Sequence, residues 1–186
     1  INEARHGGSN DRIVRMMIEW CNNNQDKIND TLFAIGWTSF NRFEFWDNFL
    51  NRFVQVSNGE PTHNDRDDKR LQEYVNQYWK ERHNDLETKD NFLREIILLQ
   101  SFFKSNNLSY LFLDAIGSQM DIIKNHKYNS FIDEKYWWNY NKETNSFAHL
   151  ANDLNSFGID YDSGEGHPGI EAHKELSEQL YEILDA

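Results

Sequence analysis

Two short runs limit what this chain can fold into. Thr31-Leu32-Phe33-Ala34-Ile35-Gly36-Trp37 and Leu108-Ser109-Tyr110-Leu111-Phe112-Leu113-Asp114 are each almost unbroken apolar stretches of strand length. A strand with one wet face would alternate. Runs like these fit strands covered on both faces, as in a parallel sheet. Around them the apolar spacing is helical. Ile13, Met16, Met17 and Trp20 predict a helix from near Asp11 with one buried face, capped by Ser9 or Asn10. Leu71, Tyr74, Val75, Tyr78 and Trp79 predict a helix over 69–83. Phe92, Leu93, Ile96, Ile97, Leu99 and Phe103 predict another over 88–104. A closing helix is expected over 169–184, with Ile170, Leu176, Leu180 and Ile183 on its inner side, and a short helix within 145–155.

The rest is less regular. Residues 1–4 read as the tail of a strand, and 41–53 as an irregular or short helical segment packing its aromatics. The stretch 57–68, with Gly59 and Pro61, reads as a surface loop or lid. Residues 122–140 are aromatic without clear periodicity, and 156–166 read as a loop with a short strand at Gly158-Ile159. Strands alternating with helices predict an α/β fold with a mostly parallel sheet, in one domain over 1–186.

Charge and composition narrow the partners. The net charge is −12, and no basic stripe interrupts it, so the surface repels phosphates and nucleic acid is not expected as a partner. The apolar runs are too short to span a bilayer, so no membrane partner is expected. No signal peptide is expected. The single cysteine, Cys21, excludes an intrachain disulfide and reads as a small buried hydrophobe. His63, His83, His126, His149 and His173 lack zinc spacing, and Asp65, Asp67 and Asp68 lack the glycine and glutamate of a calcium loop. No metal and no cofactor are therefore expected. Trp137, Trp138 and Tyr140 read as buried aromatics rather than a sugar platform. The first residue is Ile1, inside a motif, which suggests a processed product or a sequence missing its start.

Ligands in parallel sheets bind beyond the carboxyl ends of the strands. Gly7-Gly8-Ser9-Asn10, Gly36-Trp37-Thr38-Ser39 and Asp114 all follow or end predicted strands. Gly164-Glu165-Gly166-His167-Pro168-Gly169 places a histidine beside an acid, in a turn ahead of a helix. That arrangement suits a general base oriented by a carboxylate. Gly7 and Ser9 could offer backbone amides to an anion, and Trp37 with Thr38 could wall a substrate.

These motifs resemble those of the SGNH/GDSL hydrolase family. Asn2, Ala4, Gly7 and Ser9 match its second block in order, and Glu165, His167 and Pro168 resemble its last. The wording Gly-Gly-Ser-Asn-Asp-Arg-Ile, Ile-Gly-Trp-Thr-Ser and Gly-His-Pro-Gly is also similar to SGNH-like proteins encoded by phages of marine bacteria. The resemblance implies a flavodoxin-like three-layer sandwich, here without its first strand. It implies ester hydrolysis, with an acetylated carbohydrate as one substrate considered. His167 would be the base, oriented by Glu165 or Asp162. Gly7, Ser9, Gly36 and Thr38 would hold the oxyanion or substrate.

There are departures. The family's first block carries the nucleophilic serine and has no counterpart here, so the 186 residues alone are expected to be inactive. Thr38 stands where the family has an oxyanion asparagine, and Gly164 where it has the acid. The alternative is an inactive SGNH-like structural or glycan-binding component of a phage particle, with other virion proteins as partners. The expected location is accordingly cytoplasmic or virion-associated.

Overall fold

A computed structural model describes residues 8–62, 65–142, 146–159 and 166–184. The strand expected at residues 1–4 lies outside them, as do His63, Gly7, Asp162, Gly164 and Glu165. The protein is a mixed α/β fold. Its centre is a parallel pair, β1 (Leu32–Trp37) and β5 (Ser109–Asp114), in the register Leu32↔Ser109 through Trp37↔Asp114. Both strands coincide with the two apolar runs. On the other edge of β5, Phe112 and Asp114 form single parallel bridges to Trp137 and Ser146.

Helices α1 (Asn10–Asn23) and α3 (Asp85–Ser105) pack together, and α1 also meets β1. Trp20 of α1 meets Phe33 edge-on, and Phe103 of α3 stacks on Phe33 at 5.0 Å and on Tyr110 at 5.1 Å between ring centroids. A fully buried side chain of this size stabilises the fold by roughly 1.5–3 kcal/mol. Asn84 caps α3, its Oδ1 accepting Leu86 N–H at 2.9 Å. On α1, Val14 and Cys21 are buried, and Ile13, Met17 and Trp20 pack partly buried against the core.

The segment 41–53 departs from expectation. It is strand β2 (Arg42–Asp47) turning into β3 (Arg52–Ser57), an antiparallel hairpin, not an irregular or helical segment. The alternation is the reason: Phe43 and Phe45 meet Tyr78 and Tyr74 of α2 (Lys69–Arg82), while Trp46 packs on Phe53. Asn51, at φ 50°, takes the left-handed turn conformation. The expected loop at 57–68 also contains structure. Asn58 and Gly59, at φ 52° and 80°, turn β3 into the short β4 (Glu60–Pro61). Asn-Gly is the pair such a turn favours. A side chain at Gly59 would also meet Trp79 at 3.1 Å.

Past β5, α4 (Met120–Asn125) and tight turns carry the chain through 120–140. Trp137, Trp138 and Tyr140 are buried. Then come α5 (Phe147–Asp153), β6 (Phe157–Ile159), β7 (Gly166–Pro168) and α6 (Ile170–Leu184). β6 and β7 pair antiparallel. The parallel arrangement thus holds for β1 and β5 and the two bridges, and the other paired strands among the described residues are antiparallel. The inner side of α6 also differs. Ile170 and Ile183 are exposed, and Ala172 is buried in their place, its N–H bonded to Ser156 Oγ at 3.2 Å.

Candidate functional site

The carboxyl end of the β1–β5 pair gathers several of the residues singled out by sequence. Trp37 is fully buried and meets Phe92 and Phe112 edge-on, so it packs the core and does not wall a substrate. Gly36 has a packing reason to lack a side chain: a Cβ there would stand 3.2 Å from that of Ala115. The turn after β1 is held by Asn10, the first residue of α1. Asn10 Oδ1 accepts Thr38 N–H at 2.9 Å, and its Nδ2 donates to Thr38 O and Ser39 O, both at 3.2 Å. The Thr38 hydroxyl is buried and has no hydrogen-bond partner among the described residues.

Ser9 is occupied differently. Its N–H and O–H both donate to Gln55 Oε1, at 3.0 and 2.9 Å. Gln55 Nε2 donates to Glu44 Oε2 at 2.6 Å, and Arg15 grips the same carboxylate at 2.8 and 2.9 Å. Asp11 Oδ2 accepts Glu44 N–H at 2.9 Å. The Ser9 amide can meet an anion only if Gln55 releases it. Burial raises the pKa of Asp11, and burial together with the charge of Asp11 raises that of half-buried Glu95 to about 8.

Asp114 ends β5 and is fully buried. Its Oδ2 accepts Gln119 N–H at 2.7 Å, while its Oδ1 has no partner. Burial pushes its pKa to about 7, against the lowering effect of the Gln119 bond. Beside it, Ser146 caps α5. Ser146 Oγ lies 2.7 Å from His149 Nδ1 and accepts His149 N–H at 3.2 Å. Ser146 is fully buried, so this contact serves the helix end rather than an open nucleophile.

His167 stands in β7, its backbone paired with Gly158. β7 touches α5, whose N-cap Ser146 is bridged to Asp114. Gly7, Glu165 and Asp162 lie outside the described residues. Among the described residues, no group of three or more His, Cys, Asp or Glu could hold a metal ion, and no helix is long and apolar enough to cross a membrane. Asp65 pairs with Arg52, and Asp68 caps α2 through Arg70 N–H and Leu71 N–H.

The Asn10 clamp, the Gln55–Glu44–Arg15 network and the unpartnered Asp114 oxygen were not found by sequence reasoning. Asn10 carried a signal, but capping explained it equally well. The other groups are polar residues whose partners lie far along the chain.

The sequence pattern of a family described as "Family of unknown function (DUF6071)" matches residues 1–169. The chain belongs to the DUF6071 family. Within this DUF6071 chain the match takes in the glycine block, both strands of the parallel pair and His167-Pro168, and it stops before α6. No curated protein and no solved structure matches the chain.

Proposed function

We propose that this DUF6071 chain is an SGNH-like ester hydrolase domain whose reaction centre lies at the carboxyl end of β1. In this reading the β1–β5 pair is the middle of a flavodoxin-like three-layer sandwich. The observation that carries the proposal is the Thr38 hydroxyl. It is buried, it has no partner among the described residues, and the Asn10 side chain fixes its backbone on both sides. A donor held in place before the reaction can stabilise a developing oxyanion without reorganising. Thr38 occupies the position at which the resembling family has its oxyanion asparagine.

In this reading a serine equivalent to that of the family's first block, which has no counterpart among residues 1–186, attacks the ester carbonyl, and His167 takes its proton. Glu165 or Asp162 orients the imidazole. The Gly7 amide and the Thr38 hydroxyl receive the negative charge on the carbonyl oxygen. His167 then returns the proton to the leaving alcohol, and water hydrolyses the acyl-enzyme by the same route.

The product of the native gene, with any residues that precede Ile1, should hydrolyse p-nitrophenyl acetate or butyrate. His167→Ala should abolish turnover. Thr38→Val should lower kcat by on the order of a hundredfold, as loss of one oxyanion donor does. The 186 residues alone should show no turnover above background. Turnover unchanged in His167→Ala would sink the proposal.

A non-hydrolytic reading, a glycan-binding or structural component of a phage particle, draws on one observation. The amides of Ser9 and Thr38 are already bonded to Gln55 and Asn10, which leaves fewer donors for an oxyanion. An inert native product that still retains acetylated glycan on a column would favour it.

A further inference from the structure

The buried apolar residues fall into two cores. The one built on β1 and β5 runs from Val14 to Tyr140, yet among the described residues it takes none from 41–91. Inside that interval Val54, Val56, Leu71 and Val75 are fully buried all the same. They lie in a unit made of β2, β3, β4 and α2. Val54 and Val56 are the register partners of Phe45 and Phe43, whose rings meet Tyr74 and Tyr78 of α2. Cross-strand partners share a face of the sheet, so α2 closes that face of the hairpin.

The tie between this unit and α1 has a different character. β2 packs on α1, and the register pair Glu44 and Gln55 carries the polar contacts. Arg15 grips Glu44 at 2.8 and 2.9 Å, and Asp11 accepts the Glu44 N–H at 2.9 Å. Gln55 Oε1 takes both donors of Ser9, at 3.0 and 2.9 Å. The Arg15 guanidinium also lies over the Phe53 ring. Polar interfaces inside a chain permit relative motion that a shared apolar core would resist. The chain links are short. Residues 38–41 follow β1, and the extended pair His83-Asn84 joins α2 to α3.

We propose that β2, β3, β4 and α2 open from the body of the protein as one cooperative unit, with Ser9, Asp11 and Arg15 as the latch, while the core built on β1 and β5 stays folded. Proteins open in such sub-global units where few apolar contacts cross a boundary. The consequence falls at the start of α1. Gln55 leaves with the unit, so the N–H and O–H of Ser9 are released together. The neighbouring clamp stays closed, because Asn10 opens α1 and Thr38 directly follows β1, and their bond at 2.9 Å lies within the body. Opening therefore frees the donors of Ser9 and leaves the amide of Thr38 held. The device does not rest on ester hydrolysis. Under the hydrolase reading, it is the step that makes the Ser9 amide available to an oxyanion.

The test is native-state hydrogen exchange of the folded 186-residue chain, followed by NMR in low urea. The amides of β2, β3 and α2 should share one opening equilibrium, more frequent than that of β1, β5 and α3. Ser9 N–H should exchange with the unit and Thr38 N–H with the body. Ile96→Val, in the fully buried stripe of α3, should speed the body's exchange about two- to tenfold and leave the unit's unchanged. Arg15→Met should speed exchange in the unit and at Ser9 about tenfold or more, as loss of a charged hydrogen-bond partner does. Equal acceleration of unit and body by Ile96→Val would show a single cooperative core and overturn the proposal. So would unit amides that open no more often than the body's, a Ser9 amide that does not follow the unit, or unit exchange unchanged in Arg15→Met. Since the readout is exchange, its failure is distinct from failure of the hydrolase reading, which rests on turnover.

Discussion

Two buried polar regions lie on either side of the start of α1, and they are built on opposite lines. Toward the β2–β3 hairpin, Ser9, Gln55, Glu44 and Arg15 form a closed chain of hydrogen bonds, backed by Arg15 over the Phe53 ring at 4.1 Å. Toward the carboxyl end of β1 and β5, Thr38, Asp114 and Gln119 keep oxygens without partners among the described residues. The first region behaves as glue: it ties α1 to a hairpin that the parallel pair does not contact through its own backbone pairing. The second has unspent hydrogen-bonding capacity at the edge where α/β proteins bind ligands. Satisfied networks rigidify a core, whereas unsatisfied buried groups cost stability and are retained where they serve something else.

The largest test of this contrast is Glu44→Ala. It leaves Arg15 and Gln55 without their shared acceptor in a largely buried place. Urea unfolding should report a loss of about 3–5 kcal/mol. A loss under ~1 kcal/mol would mean the network is decoration, and the contrast would fail.

Asp114→Asn should act in the opposite direction. The folded pKa of Asp114, about 7, lies above its ordinary value of 3.8. Between those values the folded protein holds a proton that the unfolded chain has lost. Stability from this group is therefore fully present below about pH 4, falls as pH rises to 7, and stays lost above it. A shift of that size corresponds to at most ~4 kcal/mol. Half-buried Glu95, raised to about 8, adds a fall of the same sign. Unfolding measured from pH 4 to 8 should show a shallower decline for Asp114→Asn, and higher stability than the parent at pH 8. An unchanged slope would remove Asp114 as the uncompensated charge.

The smallest effect sharpens the comparison most. Thr38→Val deletes a hydroxyl that has no partner among the described residues, so stability should hold or rise by up to ~1 kcal/mol. A loss beyond ~1 kcal/mol would show that the hydroxyl is already bonded, and the second region would then resemble the first.

How far the sequence could be read differs between elements for physical reasons. The strands at 32–37 and 109–114 were legible as unbroken apolar runs, but burial on both faces explains only β5, which is buried from Tyr110 to Asp114; β1 alternates, with Leu32 and Ala34 exposed. Helices α2 and α3 were legible because one buried stripe repeats at helical spacing. The β2–β3 hairpin was not, because α2 covers one face with aromatics while Trp46 and Phe53 pair on the other. Aromatics on both sides hide the alternation between Arg42 and Asp47. The Asn58-Gly59 turn was a local signal that could have been used.

For the site, the sequence by itself determined which residue types stand at the strand ends: Thr38, Asp114 and the glycine turn before Ser9. That is a local property, since a strand's carboxyl end follows from where its apolar run stops. Only the tertiary structure decided which of their polar atoms are spent. Ser9 lost its amide and hydroxyl to Gln55, 46 residues away, and Thr38 lost its amide to Asn10, 28 residues away. A hydrogen bond is made by whichever partner the fold brings within about 3 Å, and no spacing along the chain carries that information.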